Sequence, residues 1–237
     1  MDEKKPDPTE RLIRKKDDLR PAPVTAPGRV PAGLIGACGE YYLAAELSRR
    51  GWLATVTIKN APGTDVLAKS VNRLHMISLQ TKTSSRGEFQ LSEKDEHPGS
   101  GSGEFYALVK LSADLLTRPR FFLLPRLHVA KLIGLRHALW MHGPPVRVEK
   151  RKDSKMRRIN PEAVDSYEER WDQLEALSER SAFIVPEQLV RMAKRWGVPS
   201  AAWLEEYARN HTNYALLDLS QEWAVLREKV PPGLPSF

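Results

Sequence analysis

The chain contains a single cysteine, Cys38, among its 237 residues. One thiol excludes an intramolecular disulfide, and it excludes a zinc site built from several thiolates of the same chain. No run of 18 apolar residues occurs, so the sequence predicts no transmembrane helix. The first residues are charged and lack the apolar stretch of a secretory signal. We therefore expect a cytoplasmic protein with no membrane partner.

Histidine is also sparse, and the six histidines are dispersed without a His-x-x-x-His pair that would suggest a zinc site. Hydrophobic residues make up 41% and charged residues 28% of the chain, which is typical of a globular protein. Lysine and arginine number 37 against 30 acidic residues, which leaves a net charge of +7. This excess of positive charge permits binding to phosphate backbones but does not require it.

The chain divides into three segments by composition. Residues 1–30 are rich in proline and poor in large apolar residues, which predicts a flexible tail. Residues 31–180 alternate helical and strand patterns and are predicted to form an α/β domain. Residues 181–237 form a predicted all-helical appendage. Within it, two helical patterns resemble a helix-turn-helix, but Glu205 and Glu206 would face phosphates, so a plain helical hairpin is the preferred interpretation.

Hydrophobic periodicity and turn residues predict the elements of the α/β domain. Helices are predicted at residues 32–50, 126–141 and 161–177. Strands are predicted at residues 52–59, 65–68, 75–82, 105–111 and 121–124. Residues 84–103 are predicted to be rich in loops, and residues 147–158 form a strongly basic connection.

Polar residues occur at the ends of three of these elements. Glu40 lies three residues before Leu43 on the first predicted helix and so shares its inward stripe. Asp65 follows a Gly-Thr turn at the start of a strand. Gln80 and Lys82 are two residues apart on the next strand, so their side chains are expected on the same face of the sheet.

Such an arrangement suits the hydrolysis of a phosphodiester. Magnesium prefers oxygen ligands, and one or two carboxylates are usually sufficient because waters and substrate phosphates complete its octahedron. Asp65 is placed to be such a ligand, and the backbone carbonyl of Thr81 is a second candidate. Lys82 is a candidate to orient the attacking water, and Glu40 to bind a metal through water or to hold a second ion.

The order Gly39-Glu40, Gly63-Thr64-Asp65 and Gln80-Thr81-Lys82 resembles the PD-(D/E)XK nuclease superfamily, which includes Holliday junction resolvases. The resemblance spans about residues 31–177. It implies a restriction-endonuclease-like mixed sheet flanked by helices.

The resemblance also implies roles for individual residues. It makes Asp65 the metal-binding aspartate, Lys82 the active-site lysine and Glu40 the helix glutamate. Gln80 departs from the family, which usually has an acid there. Glutamine keeps a carbonyl oxygen but removes one negative charge, so weaker metal binding is expected.

Further residues are candidates for nucleic-acid binding. Ser84 follows the lysine motif and is a candidate phosphate contact. The basic connection is a candidate for tracking the backbone, with a solvated loop as the alternative; it contains Arg147, Lys150, Arg151, Lys152, Arg157 and Arg158. DNA is preferred over RNA as the substrate through the resemblance alone. A homodimer, or a protein partner bound by the C-terminal helices, is left open.

Two functions follow from these patterns. The first is a magnesium-dependent nuclease, with manganese as a substitute, that acts as a DNA endonuclease. The second is an inactive module that keeps the fold and binds nucleic acid or a protein partner. Gln80 is the residue that favours the second.

Overall fold

The computed structural model describes residues 28, 30–58, 63–72, 75–99, 101, 103–142, 154–176, 183 and 185–195. The longer helices are α1 (Ala32–Arg49), α2 (Arg126–His142) and α4 (Glu187–Arg195), and α3 (Asp172–Glu175) is a single turn. Two 3₁₀ helices span Glu93–Glu96 and Pro161–Tyr167. The strands are β1 (Trp52–Val56), β2 (Val66–Ser70), β3 (Met76–Ser84), β4 (Phe89–Ser92), β5 (Glu104–Lys110), β6 (Arg120–Pro125) and β7 (Met156–Ile159).

The predicted mixed sheet is confirmed. Its five strands lie in the order β1-β2-β3-β5-β6, with β3 and β5 parallel and every other neighbouring pair antiparallel. Residues 52–56 and 66–70 alternate between the core and the exterior, as expected of strands covered on one face. In contrast, β5 and β6 are buried along almost their whole length, because helices pack against both of their faces.

The sheet separates two apolar clusters. Leu43 and Leu47 of α1 pack with Leu79 of β3 and with Phe105 and Ala107 of β5 on one face. On the other face, α2 packs against the alternate residues of the same strand, including Tyr106 and Leu108. Because neighbours along a strand point to opposite faces, this division assigns every residue of β3 to the α1 side or the α2 side.

Two segments predicted without a strand each contain strand residues. Residues 89–92 form β4, which pairs antiparallel with β7, so parts of the predicted loop 84–103 and of the basic connection 147–158 form a small second sheet. Buried Phe89 and Leu91 alternate with more exposed residues, as do buried Arg157 and Ile159 in the partner strand. The many charged and small residues around these short strands concealed their two-residue period.

The helix predicted at residues 161–177 is also wrong in its length. The chain forms a 3₁₀ helix to Tyr167, and Glu168 then makes a β-bridge with Phe122. Glu169 adopts a positive φ of 54° and donates its N–H to the carbonyl oxygen of Phe121 at 2.8 Å. Pairing with β6 thus satisfies the backbone groups that a continuous helix would have used.

The described part of the C-terminal segment contacts the α/β domain. Leu189 of α4 is buried in the α2-side cluster, and Phe183 and Val185 pack against the same cluster. The turn and second helix of the predicted helix-turn-helix or hairpin lie outside the described residues, as do residues 1–27 of the predicted tail. Within the described part of the chain, no helix combines the length and the apolar character needed to span a bilayer.

Gly39 brings α1 close to β3 and leads to the first prediction. A Cβ added at Gly39 would overlap the side-chain hydroxyl of Thr83, whereas a Cβ at Gly36 on the same helix would meet no atom within 4 Å. We expect Gly39→Ala to lower the free energy of unfolding by about 2–3 kcal/mol through overpacking. Gly36→Ala, the matched control, should raise it by about 0.5–1 kcal/mol through helix propensity. Urea unfolding of both variants tests this, and equal effects would contradict the close approach.

Candidate functional site

One edge of β3 is left open, because β2 does not pair with β3 beyond Leu79. The last paired residue of β2 is Val66, opposite Leu79, whereas β3 continues to Ser84. Asp65 fills the next position: its N–H donates to the carbonyl oxygen of Leu79 at 2.9 Å, and its Oδ2 accepts the N–H of Thr81 at 2.7 Å. A carboxylate thus takes the place of a strand carbonyl at this edge.

Gln80 contacts the same carboxylate. Its Nε2 donates to Oδ2 of Asp65 at 2.6 Å, so that one oxygen accepts two hydrogen bonds. The carbonyl of Thr81 points to the same edge as its N–H, because both groups of an extended residue face one neighbour. The structure therefore brings together three of the predicted residues: Asp65, Gln80 and Thr81.

Lys82 lies on the same face of the sheet as Gln80. The partners of these two residues in β5 are Tyr106 and Leu108, and both belong to the α2-side cluster. Because the carboxylate of Asp65 contacts the Gln80 side chain, carboxylate and ammonium approach the sheet from the same side. The Nζ of Lys82 lies 3.7 Å from Oδ1 of Asp95, and the lysine side chain is 26% exposed.

Asp95 is a residue of this neighbourhood that the sequence analysis missed. It is buried in the 3₁₀ helix after β4, where its Oδ1 accepts the hydroxyl of Tyr106 at 2.6 Å. Its Oδ2 accepts the N–H of Ser92 at 2.7 Å and the Ser92 hydroxyl at 2.9 Å. The order Ser92-Glu93-Lys94-Asp95 is a capping-box pattern, and this signal was available in the sequence.

The contacts between Asp95, Tyr106 and Lys82 shift the pKa values of Asp95 and Tyr106 in opposite directions. Burial opposes ionisation of Asp95, but the hydrogen bonds from Tyr106 and Ser92 and the charge of Lys82 outweigh it and lower the Asp95 pKa. Burial, followed by the hydrogen bond to Asp95, raises the pKa of Tyr106. The charge of Asp65 raises the Tyr106 pKa further and that of Arg126 opposes it, so both act on this hydroxyl.

Arg126, the first residue of α2, borders the candidate site. Its Nη1 donates to Oε2 of Glu104 at 3.1 Å, and its Nε donates to the carbonyl oxygen of His97 at 3.2 Å. A Cβ at Gly63 would lie 3.6 Å from its Nη1, so the arginine also borders the turn that precedes Asp65. Arg126 thus places a cation beside the open edge of β3.

Glu40 lies on the α1 side of the sheet. It is half-buried and directly follows Gly39, which contacts Thr83. Because Gln80 and Lys82 face the α2 side, Glu40 can approach Asp65 only past the edge that β2 leaves open. On the α1 face of β3, the hydroxyls of Thr81 and Thr83 are buried and have no hydrogen-bond partner among the described residues.

Comparisons with known proteins find distant similarity only. No protein-family model and no curated protein matches the chain. Hjc, a Holliday junction resolvase from the archaeal hyperthermophile Archaeoglobus fulgidus, matches with 17% identity and a TM-score of 0.35, over 55% of this chain and 88% of its own. A bacterial homing endonuclease matches with 13% identity and a TM-score of 0.36, over 62% of this chain and 94% of its own. At these scores the candidate site has to be defined by its own geometry.

The residues predicted to contact nucleic acid are placed differently from one another. Ser84 is buried and its hydroxyl donates to the carbonyl oxygen of Arg86 at 2.7 Å, so its role as a phosphate contact stays a prediction. Arg157 is also buried, paired with Glu96 and donating to the carbonyl oxygen of Ser154, so it supports the small sheet, and its contact with nucleic acid stays a prediction.

The other predicted basic contacts are either exposed or outside the described residues. Arg158 is about half exposed and its Nη1 lies 3.4 Å from Oε2 of Glu88, so it is the one residue that faces solvent among the described residues predicted to contact nucleic acid. Arg147, Lys150, Arg151 and Lys152 lie within residues 143–153, which are outside the described part of the chain.

The donor set for a metal at the open edge is small. Among the described residues, no three acidic, histidine or cysteine side chains lie close enough together to hold an ion. The edge offers the Oδ1 of Asp65, the carbonyl of Thr81 and, after rotation of its amide, the Oε1 of Gln80. These are hard oxygen donors with a single negative charge, which fits a magnesium ion that keeps most of its waters.

Proposed function

We propose that the chain is a magnesium-dependent phosphodiester hydrolase that cleaves nucleic acid, with DNA as its substrate. One observation carries the proposal: the carboxylate of Asp65 meets Gln80 and Thr81 at the open edge of β3, on the face that bears the ammonium of Lys82. Two sequence-distant motifs, Gly63-Thr64-Asp65 and Gln80-Thr81-Lys82, thereby meet, which supports the site that the PD-(D/E)XK resemblance implies.

Asp65, Gln80 and Thr81 would hold the ion through oxygens, and Glu40 would reach it through water past the open edge. A magnesium ion bound there would neutralise charge on the phosphorus oxygens. Rotation of the Gln80 amide is required in this arrangement, because its Nε2 now faces the carboxylate. Manganese has the same preference for oxygen ligands and would substitute.

Lys82 supplies the cationic hydrogen-bond donor of the proposed reaction. Its ammonium has three donors, and at 3.7 Å Asp95 attracts its charge without the short distance of a hydrogen bond. The donors of Lys82 therefore remain available to orient a water or to stabilise charge on the scissile phosphate. Arg126 and the basic residues of the connection would attract the backbone to this edge, in keeping with the net charge of +7.

The test is cleavage of supercoiled plasmid and single-stranded DNA with Mg²⁺ or Mn²⁺. We expect wild-type protein to cut, and Lys82→Ala to cut about 10²-fold more slowly because a positioned cationic donor is lost. Lys69→Ala is the matched control, since Lys69 is on the same face of the sheet but pairs with Met76 at the opposite end of β3. If Lys82→Ala and Lys69→Ala cut at the wild-type rate, the proposed mechanism is wrong.

A second candidate function is favoured by a specific observation. The Oδ2 of Asp65 already accepts two hydrogen bonds, and Gln80 brings no charge of its own to the edge. An inactive module that binds DNA or a protein partner would keep these hydrogen bonds between Asp65, Gln80 and Thr81. Such a module would act in the cytoplasm as a monomer or homodimer. Salt-dependent DNA binding that is indifferent to Mg²⁺, with no cleavage by wild-type protein, would favour this candidate over the hydrolase.

A further inference from the structure

Asp95 is held more firmly than a structural cap requires. Both of its oxygens accept short hydrogen bonds, one from Tyr106 and the other from both polar groups of Ser92. Tyr106 is itself buried in β5 and directly opposite Gln80 in the parallel pairing. The carboxylate is therefore fixed to two different strands and cannot rotate without breaking at least one of these bonds.

This fixed charge is directed at Lys82. A lysine side chain has four rotatable bonds, and an unrestrained ammonium would be free to turn toward solvent. The nearby Oδ1 of Asp95 fixes the direction of the side chain, because it is the carboxylate paired with Lys82 among the described residues. Since the side chain is 26% exposed, solvent screens this attraction only in part.

We propose that Asp95 is a positioning residue for Lys82, and that Tyr106 and Ser92 serve to hold its carboxylate in place. The inference rests on the proposed function, because it assigns Lys82 a role in cleavage. The site thus contains a second acid, Asp95, although position 80 is glutamine. Because Asp95 accepts hydrogen bonds from Tyr106 and Ser92 on its two oxygens and lies beside the ammonium of Lys82, it acts through the lysine and is not a metal ligand.

The experiment uses the full chain and three variants. Asp95→Asn removes the charge, Tyr106→Phe removes one hydrogen bond but keeps the charge, and Asp172→Asn is the control on an exposed ion pair with Arg170. Single-turnover cleavage of plasmid DNA and DNA affinity are measured separately, and thermal unfolding checks the fold. The NMR signal of the Lys82 ammonium, assigned by its loss in Lys82→Arg, gives a readout that does not depend on activity.

We expect Asp95→Asn to slow single-turnover cleavage by about 10–100-fold with DNA affinity nearly unchanged, as for other residues that orient a reacting group. Tyr106→Phe should slow it less, and Asp172→Asn should have no effect. The Lys82 signal should shift or broaden in the first two variants. If Asp95→Asn fails to fold, the milder Tyr106→Phe variant carries the test.

The outcomes separate the two proposals. A folded Asp95→Asn variant with wild-type cleavage and an unchanged Lys82 signal would overturn the positioning role. If wild-type protein cuts no substrate but the Lys82 signal responds to Asp95→Asn, the hydrolase proposal fails and the positioning of Lys82 by Asp95 stands.

Discussion

Asp65→Asn is expected to slow cleavage severely while leaving the fold intact. In the wild-type structure a single oxygen, Oδ2, accepts both the Thr81 N–H and the Gln80 amide. The side-chain oxygen of asparagine can accept the same two bonds, so the variant loses only the charge. Because Asp65 is the one carboxylate among the described residues in contact with the Gln80 side chain and the Thr81 N–H, we expect cleavage to fall by about 10³-fold, corresponding to several kcal/mol of lost charge stabilisation.

The measurement is the Mg²⁺ dependence of cleavage and of thermal unfolding. Mg²⁺ should raise the melting temperature of wild-type protein by binding the folded state and should not raise that of Asp65→Asn. Asp165→Asn is a suitable control, because Asp165 pairs with Arg120 at the surface. Cleavage by Asp65→Asn within threefold of wild type, or an equal response of both proteins to Mg²⁺, would remove Asp65 from the site.

The parts of the fold that the sequence predicts are those with local signals. The alternation of β3 places Gln80 and Lys82 on one face, and the structure agrees because Tyr106 and Leu108 opposite them belong to one cluster. The Gly-Thr-Asp turn predicts that Asp65 begins a strand, and it directly precedes β2. Local sequence signals were thus sufficient to predict which side chains of β3 share a face of the sheet and where the neighbouring strand begins.

The parts that could not be predicted depend on distant partners. Asp95 is recognisable as a cap from its own neighbours, but its contact with Tyr106 joins β5 to a segment that appeared to be a loop. Arg157 belongs to a basic run and would be expected at the surface, yet its pairing with Glu96 makes it buried. Neither the partner nor the burial can be deduced from spacing along the chain.

Gln80→Glu is expected to change stability and metal affinity in opposite directions. The amide nitrogen of Gln80 is 2.6 Å from Asp65, so a carboxylate there would put two like charges in contact. Without metal, one of the two acids should have a raised pKa. The free energy of unfolding at neutral pH should fall by about 1–3 kcal/mol. The deficit should shrink as the pH is lowered, because a proton shared by the pair restores a hydrogen bond.

Binding of Mg²⁺ is expected to offset the loss of stability in Gln80→Glu. A second carboxylate oxygen at the edge should tighten Mg²⁺ binding by at least about tenfold, since an added charge near a partly buried cation is worth more than 1.4 kcal/mol. The melting temperatures of wild type and Gln80→Glu should therefore converge or cross as Mg²⁺ is titrated. Gln90→Glu is the control, because it makes the same change on the exposed side of β4. An Mg²⁺ affinity that Gln80→Glu leaves unchanged would show that position 80 does not face the ion, and the open edge of β3 would then have to bind its ligand without it.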